Sequence, residues 1–134
     1  MNITSRPVND SHIDEIAAMV QKGKFIMNLD RGDVAQVLQG REGTLFLARQ
    51  EAGTPNATFL RDFFSYLKKQ DPIRRSTHLL LSIGCAPDDP LMMDDMSIIG
   101  DFFDELCTKD VEAKWGLKTN AADEPMTLLM LCAK

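Results

Sequence analysis

Three pairs of acidic residues are the side chains whose types and spacing could do chemistry: Asp30 with Asp33, Asp88 with Asp89, and Asp94 with Asp95. Paired carboxylates can act as general acids and bases, but most such pairs are helix caps or lie on solvated faces. Asp30 and Asp33 differ from the other pairs because residues 25–30 carry few other charges and lead into a loop that contains Gly32. A loop of this kind, placed between two helices, can protrude from a domain.

Other catalytic patterns are missing from the sequence. It contains no glycine-rich phosphate loop, no Ser or Cys nucleophile placed with a His base, and no metal-ligand spacing. Cys85, Cys107 and Cys132 are odd in number and lie in apolar segments, which is typical of reduced core thiols. His12 and His78 have no ligand-type residues nearby. We therefore expect no bound metal and no cofactor, and the chain looks incomplete as an enzyme.

Composition and charge narrow the class of protein. The 134 residues are 44% hydrophobic and 26% charged, as in an ordinary single folded domain. A net charge of -5 disfavours nonspecific binding to nucleic acid or to an anionic membrane. No apolar run approaches the ~20 residues that span a bilayer, and no signal peptide is recognisable, so the default expectation is the cytoplasm.

Hydrophobic periodicity predicts the elements that must position the acidic residues. In chain order these are a helix over 11–22, a short helix ending at Gly40, a strand over 44–48, a helix containing 59–67, a strand over 78–83, a helix over 92–107, and strands over 111–118 and 126–133 that form an antiparallel hairpin. In the helix over 92–107, the apolar face is predicted to comprise Met92, Met96, Ile99, Phe103 and Leu106, with Asp94 and Asp95 largely outside.

The order of these elements predicts an α/β (α+β) fold. Its centre is a four-stranded mixed sheet with two long helices on one face, giving a two-layer sandwich. An N-terminal helix and a short helix precede this unit.

The acidic loop resembles one found in the tubulin-like cell-division GTPase FtsZ. In that family an Asn-x-Asp-x-x-Asp loop follows the long central helix and inserts into the nucleotide pocket of the next subunit, and Asn28, Asp30 and Asp33 match it. The order of elements over about 13–133 also resembles the FtsZ C-terminal domain, and shorter matches support it: Ser82-Ile83-Gly84, Trp115-Gly116, Asp123-Glu124 and the apolar run 126–131. Arg31 and Gly32 depart from the family's usual aromatic and small residues.

The resemblance implies a division of the chain and a function. Residues 1–40 would be a remnant of the central helix with its acidic loop and short helix, and residues 41–134 a C-terminal-like domain. The family's nucleotide-binding domain has no counterpart, so the chain alone should not bind GTP. The implied function is an assembly or interaction module for an FtsZ-type GTPase or for self-association. Asp30 and Asp33 would polarise the attacking water only in trans, and the interaction loop would comprise Asn28, Asp30, Arg31, Gly32 and Asp33.

Two other interpretations stay open. Four strands covered by two helices also support small-molecule-binding or chorismate-mutase-like oligomeric enzymes with sites between subunits. Such a site for anionic substrates needs converging cations, and no motif marks these arginines as a set: Arg41, Arg49, Arg61, Arg74 and Arg75. A domain that has kept the fold but lost any filament function is the third interpretation.

Overall fold

The computed structural model describes residues 2–106 and 110–134, with the backbone alone at 25–27. The elements are β1 (Asn2–Asn9), a 3-10 turn (Asp10–His12), α1 (Ile13–Gln21), β2 (Lys24–Met27), α2 (Arg31–Leu38), β3 (Glu42–Arg49), α3 (Asn56–Lys68), α4 (Asp71–Arg74), β4 (His78–Cys85), α5 (Met93–Leu106), β5 (Glu112–Thr119) and β6 (Thr127–Ala133). Within these ranges no helix is both long and apolar enough to cross a membrane.

One mixed sheet forms the centre of the molecule, and its strand order is β1-β3-β6-β4-β5-β2. The predicted mixed α/β class is confirmed, but the predicted count of four strands is wrong because the sheet has six. The two extra strands, β1 and β2, lie at the edges. Edge strands bond on one side only and tolerate polar residues and proline, so β1, which contains Pro7, shows no clear apolar alternation.

The predicted hairpin between the last two strands is also wrong. β4 lies between β5 and β6, with Ser82 opposite Gly116 of β5 in a parallel pair and opposite Leu129 of β6 in an antiparallel pair. A parallel pair needs a long crossover, which α5 supplies between β4 and β5. The connection from β5 to β6 therefore spans the end of one intervening strand, a distance of roughly 10 Å that a few extended residues can cover.

Helices cover both faces of the sheet. The two long helices, α3 and α5, share one face as predicted and bury Phe63, Phe64 and Phe102 against it. The rings of Phe64 and Phe102 stack with centroids 4.2 Å apart. On the opposite face α1 and α2 pack onto Leu80 and Leu131. The prediction of two layers is therefore wrong: the fold has three, because the alternating side chains of the central strands are apolar on both faces.

The start of α5 departs from its predicted orientation. Met92, Met93 and Met96 are 64%, 81% and 39% exposed, whereas Asp95 is buried. The carboxylate of Asp95 accepts a hydrogen bond from the Met92 backbone N–H at 2.9 Å, which satisfies one of the free amides at the helix start. This turn places Ile99 and Phe102 in the core and leaves the methionines in solvent.

Candidate partner-binding loop

The acidic loop forms the start of α2. Asp30 precedes α2, and its Oδ1 accepts the backbone N–H of Asp33 at 3.0 Å. In return, Oδ2 of Asp33 accepts the backbone N–H of Asp30 at 2.9 Å. This reciprocal capping box satisfies two free amides at the helix start and fixes the two carboxylates relative to each other.

Asp33 is held by a second contact from the sheet. Its Oδ1 forms an ion pair with the ammonium of Lys114 in β5, and its side chain is 11% exposed. Burial by itself raises the pKa of Asp33, but the hydrogen bond from Lys114 and the backbone N–H of Asp30 outweigh it, so the pKa lies below its usual value of 3.8. Both carboxylate oxygens of Asp33 therefore have a partner, and the positive charge of Lys114 balances its negative charge.

The rest of the loop anchors these acids to the fold. Leu29 is buried in the core cluster that includes residues of α1 and α2, while Asn28 and Asp30 are exposed. The guanidinium Nε of Arg31 donates to Oδ1 of Asp14 in α1 at 2.6 Å, which links the loop to the preceding helix. Asp30 is thus the carboxylate that the loop leaves accessible, and Asp33 holds it in position.

Two residues that contact this loop, Lys114 and Asp14, are not predicted from the sequence. Lys114 is 81 positions from Asp33 along the chain, and its strand shows no local sign of the ion pair. In the sequence, Asp14 has the position expected of an ordinary solvent-exposed helix residue. Only the packing of α2 beside β5 and α1 brings these charges together.

The remaining candidate residues are separated from the loop. Asp88 and Asp89 are exposed in the turn after β4, and Asp94 is exposed at the start of α5. Cys85 and Cys132 are buried, whereas Cys107 falls outside the described residues. Within residues 2–106 and 110–134, no group of three or more His, Cys, Asp or Glu could hold a metal ion.

The five arginines do not meet in one place. Arg49, Arg61 and Arg75 line three different cavities. Arg41 donates to the carbonyl of Gln36 at the end of α2, and Arg74 pairs with Asp71 within α4 at 3.5 Å. The positions of the cations do not favour a shared anionic-substrate site.

Comparison with known proteins identifies the fold. No family model matches the sequence, and no curated protein matches it. Among solved structures, a GTPγS-form protofilament of TubZ from Bacillus thuringiensis serovar israelensis superposes with a TM-score of 0.64 at 13% identity, covering 92% of this chain and 33% of that one. GDP-form protofilaments of the same TubZ superpose with a TM-score of 0.59 at 14% identity, covering 84% of this chain and 30% of that one. An FtsZ dimer from M. jannaschii superposes with a TM-score of 0.57 at 13% identity, covering 83% of this chain and 32% of that one.

The chain spans about a third of the length of the solved structures that it matches. The superposition includes most of this chain, so the likeness extends over the sheet and the helices on both of its faces. The chain therefore has an FtsZ/tubulin-like fold, that of the FtsZ C-terminal domain.

Proposed function

We propose that this chain is an assembly or interaction module for a tubulin-like GTPase, with no GTPase activity of its own. It presents the loop formed by Asn28, Asp30, Arg31, Gly32 and Asp33 to a partner subunit. In this role Asp30 reaches the partner's nucleotide site and supplies a carboxylate in trans, while Asp33 is a positioning residue. Residues 1–40 carry this loop, and residues 41–134 the domain that supports it.

The observation that carries the proposal is the exposed carboxylate of Asp30 on a start of α2 that is fixed by Asp33 and Lys114. A preorganised carboxylate loses little conformational freedom when a partner docks on it. The neighbouring structures are protofilaments and a dimer, so those proteins assemble from subunits. Both carboxylate oxygens of Asp33 already have partners, Lys114 and the backbone N–H of Asp30, which makes the exposed Asp30 the better candidate to orient a water molecule.

The test is to add the purified chain to TubZ or to an FtsZ-type GTPase. Filament sedimentation and GTP turnover are measured with wild type, with Asp30→Asn and with Asp62→Asn. Asp62 is an exposed acid of α3 and gives the same charge change far from the loop along the chain. We expect wild type and Asp62→Asn to alter filament mass or turnover, and Asp30→Asn to lose most of that effect.

The chain by itself should neither bind nor hydrolyse GTP, which calorimetry and a turnover assay measure. If wild type and Asp30→Asn act equally on the partner, or neither acts, Asp30 is a helix cap alone and the proposal is wrong. Saturable GTP binding by this chain would contradict the expectation that the nucleotide belongs to the partner.

A further inference from the structure

We propose that a second copy of this chain docks its methionine-rich segment, residues 91–96, into a groove on the α1 side of the sheet. This interface uses a surface other than the acidic loop and does not depend on the function proposed above. The interface would be an apolar contact surrounded by complementary charges, with cationic residues around the groove and acidic residues around the methionines.

The groove is an open cavity of about 500 Å³ beside the end of α1. Leu47 and Leu129 of the sheet form its floor, and Met19 of α1 lines one side. Because α1 and α2 together leave this part of the sheet uncovered, Leu47 remains half-buried, whereas the other leucines of the central strands are buried. An apolar floor of this kind favours an apolar occupant.

The charged groups around the groove are all cationic: Lys22, Arg49 and Lys118 line it, and no acidic side chain of the described residues does. Lys118 is 9% exposed as a residue, and its ammonium donates to the carbonyl of Met19 at 2.7 Å. The pKa of Lys118 lies below its usual value, mainly because the side chain is buried. The carboxylate of Glu124 partly offsets this effect, and the positive charge of Lys22 adds to it. An anionic occupant would relieve the repulsion between Lys22 and Lys118.

The methionine-rich segment has the complementary properties. Met92, Met93 and Met96 are the large apolar side chains that the described part of the chain leaves exposed. Exposed acids flank them, with Asp94 inside the segment and Asp88 and Asp89 just before it. Methionine side chains are flexible and polarisable, so they fill irregular apolar grooves well.

The test measures self-association of the whole chain by sedimentation velocity over a wide range of concentration. Wild type is expected to associate as concentration rises, either as a dimer or as a longer assembly. Lys22→Glu and Asp94→Lys should each weaken association on the order of tenfold, because each places like charges together. The double variant should recover most of the loss, and Met93→Ser should weaken association without a charge change.

Lys69→Glu is the matched control, since it makes the same charge change at an exposed position at the end of α3. Circular dichroism melts of every variant show whether the fold is intact. The inference is overturned if wild type stays monomeric at all concentrations, or if the two charge reversals fail to compensate. It is also overturned if Asp30→Asn abolishes self-association, because the acidic loop would then be the interface.

Discussion

Asp30 and Asp33 each accept a hydrogen bond from the other's backbone amide, at 3.0 and 2.9 Å, and Lys114 of β5 pairs with the remaining carboxylate oxygen of Asp33. The two carboxylates are therefore unequal although the motif places them symmetrically. Both carboxylate oxygens of Asp33 bind groups of the fold, whereas Asp30 remains exposed to solvent.

Asp33→Asn should lower the free energy of unfolding at neutral pH by up to about 1 kcal/mol, because the ion pair with Lys114 is lost while the amide oxygen can still accept the Asp30 N–H. The pKa of Asp33 is lower in the folded chain than its ordinary 3.8, so its stabilising effect is complete above 3.8 and is lost as pH falls through the folded value. Urea unfolding of wild type and variant across this pH range checks the prediction. Equal stabilities at neutral pH would contradict it, and Lys114→Gln should raise the pKa of Asp33 in an NMR titration.

Gly84→Ala should destabilise the fold by on the order of 3 kcal/mol, since a Cβ there would lie 2.2 Å from Oδ1 of Asn120 and 2.7 Å from Oγ1 of Thr127. Asn120 donates to the carbonyl of Pro125 at 2.8 Å and holds the connection from β5 to β6 across the end of β4. Gly100→Ala in α5 is the control, because nothing lies within 4 Å of the added Cβ. It should stabilise by up to about 1 kcal/mol through helix propensity. Thermal melting that ranks the two variants the other way would refute this account of Gly84.

Phe102→Ala should cost about 3–5 kcal/mol, because Phe102 is 1% exposed and its ring stacks on Phe64. Phe103→Ala changes the same residue type one position along the helix, where the side chain is only partly buried. Its cost should be clearly smaller. Denaturant unfolding of both variants measures the difference, and equal losses would show that the orientation of α5 is wrong.

Cys85 and Cys132 should react slowly with a thiol reagent in the native chain. Burial raises the pKa of each thiol to about 11, so little thiolate forms near neutral pH. A Cys107→Ser background restricts the reaction to these two residues, and labelling is followed with and without denaturant. Rapid modification of both without denaturant would contradict the burial of the ends of β4 and β6.

The sequence by itself determined the elements that pack against the centre of the fold. α3 and α5 show the helical spacing of aromatic and aliphatic residues, and β4 and β6 are nearly continuous apolar runs, because these segments are buried and the core selects their residues. The sequence also predicted the FtsZ-like order of the central elements and the position of Asp30 and Asp33 on a loop between two helices.

Only the tertiary structure decided which strands are neighbours and which charges meet. β1 and β2 lie at the edges: β1 is mostly polar and contains Pro7, and β2 is only four residues long, so neither shows a clear strand pattern. β4 separates β5 from β6 through contacts between distant segments. Asp33 pairs with Lys114, which is 81 positions away along the chain, and Lys118 donates to the carbonyl of Met19, which is 99 positions away. Local patterns report burial along one element, whereas these pairings depend on how elements far apart in sequence pack together.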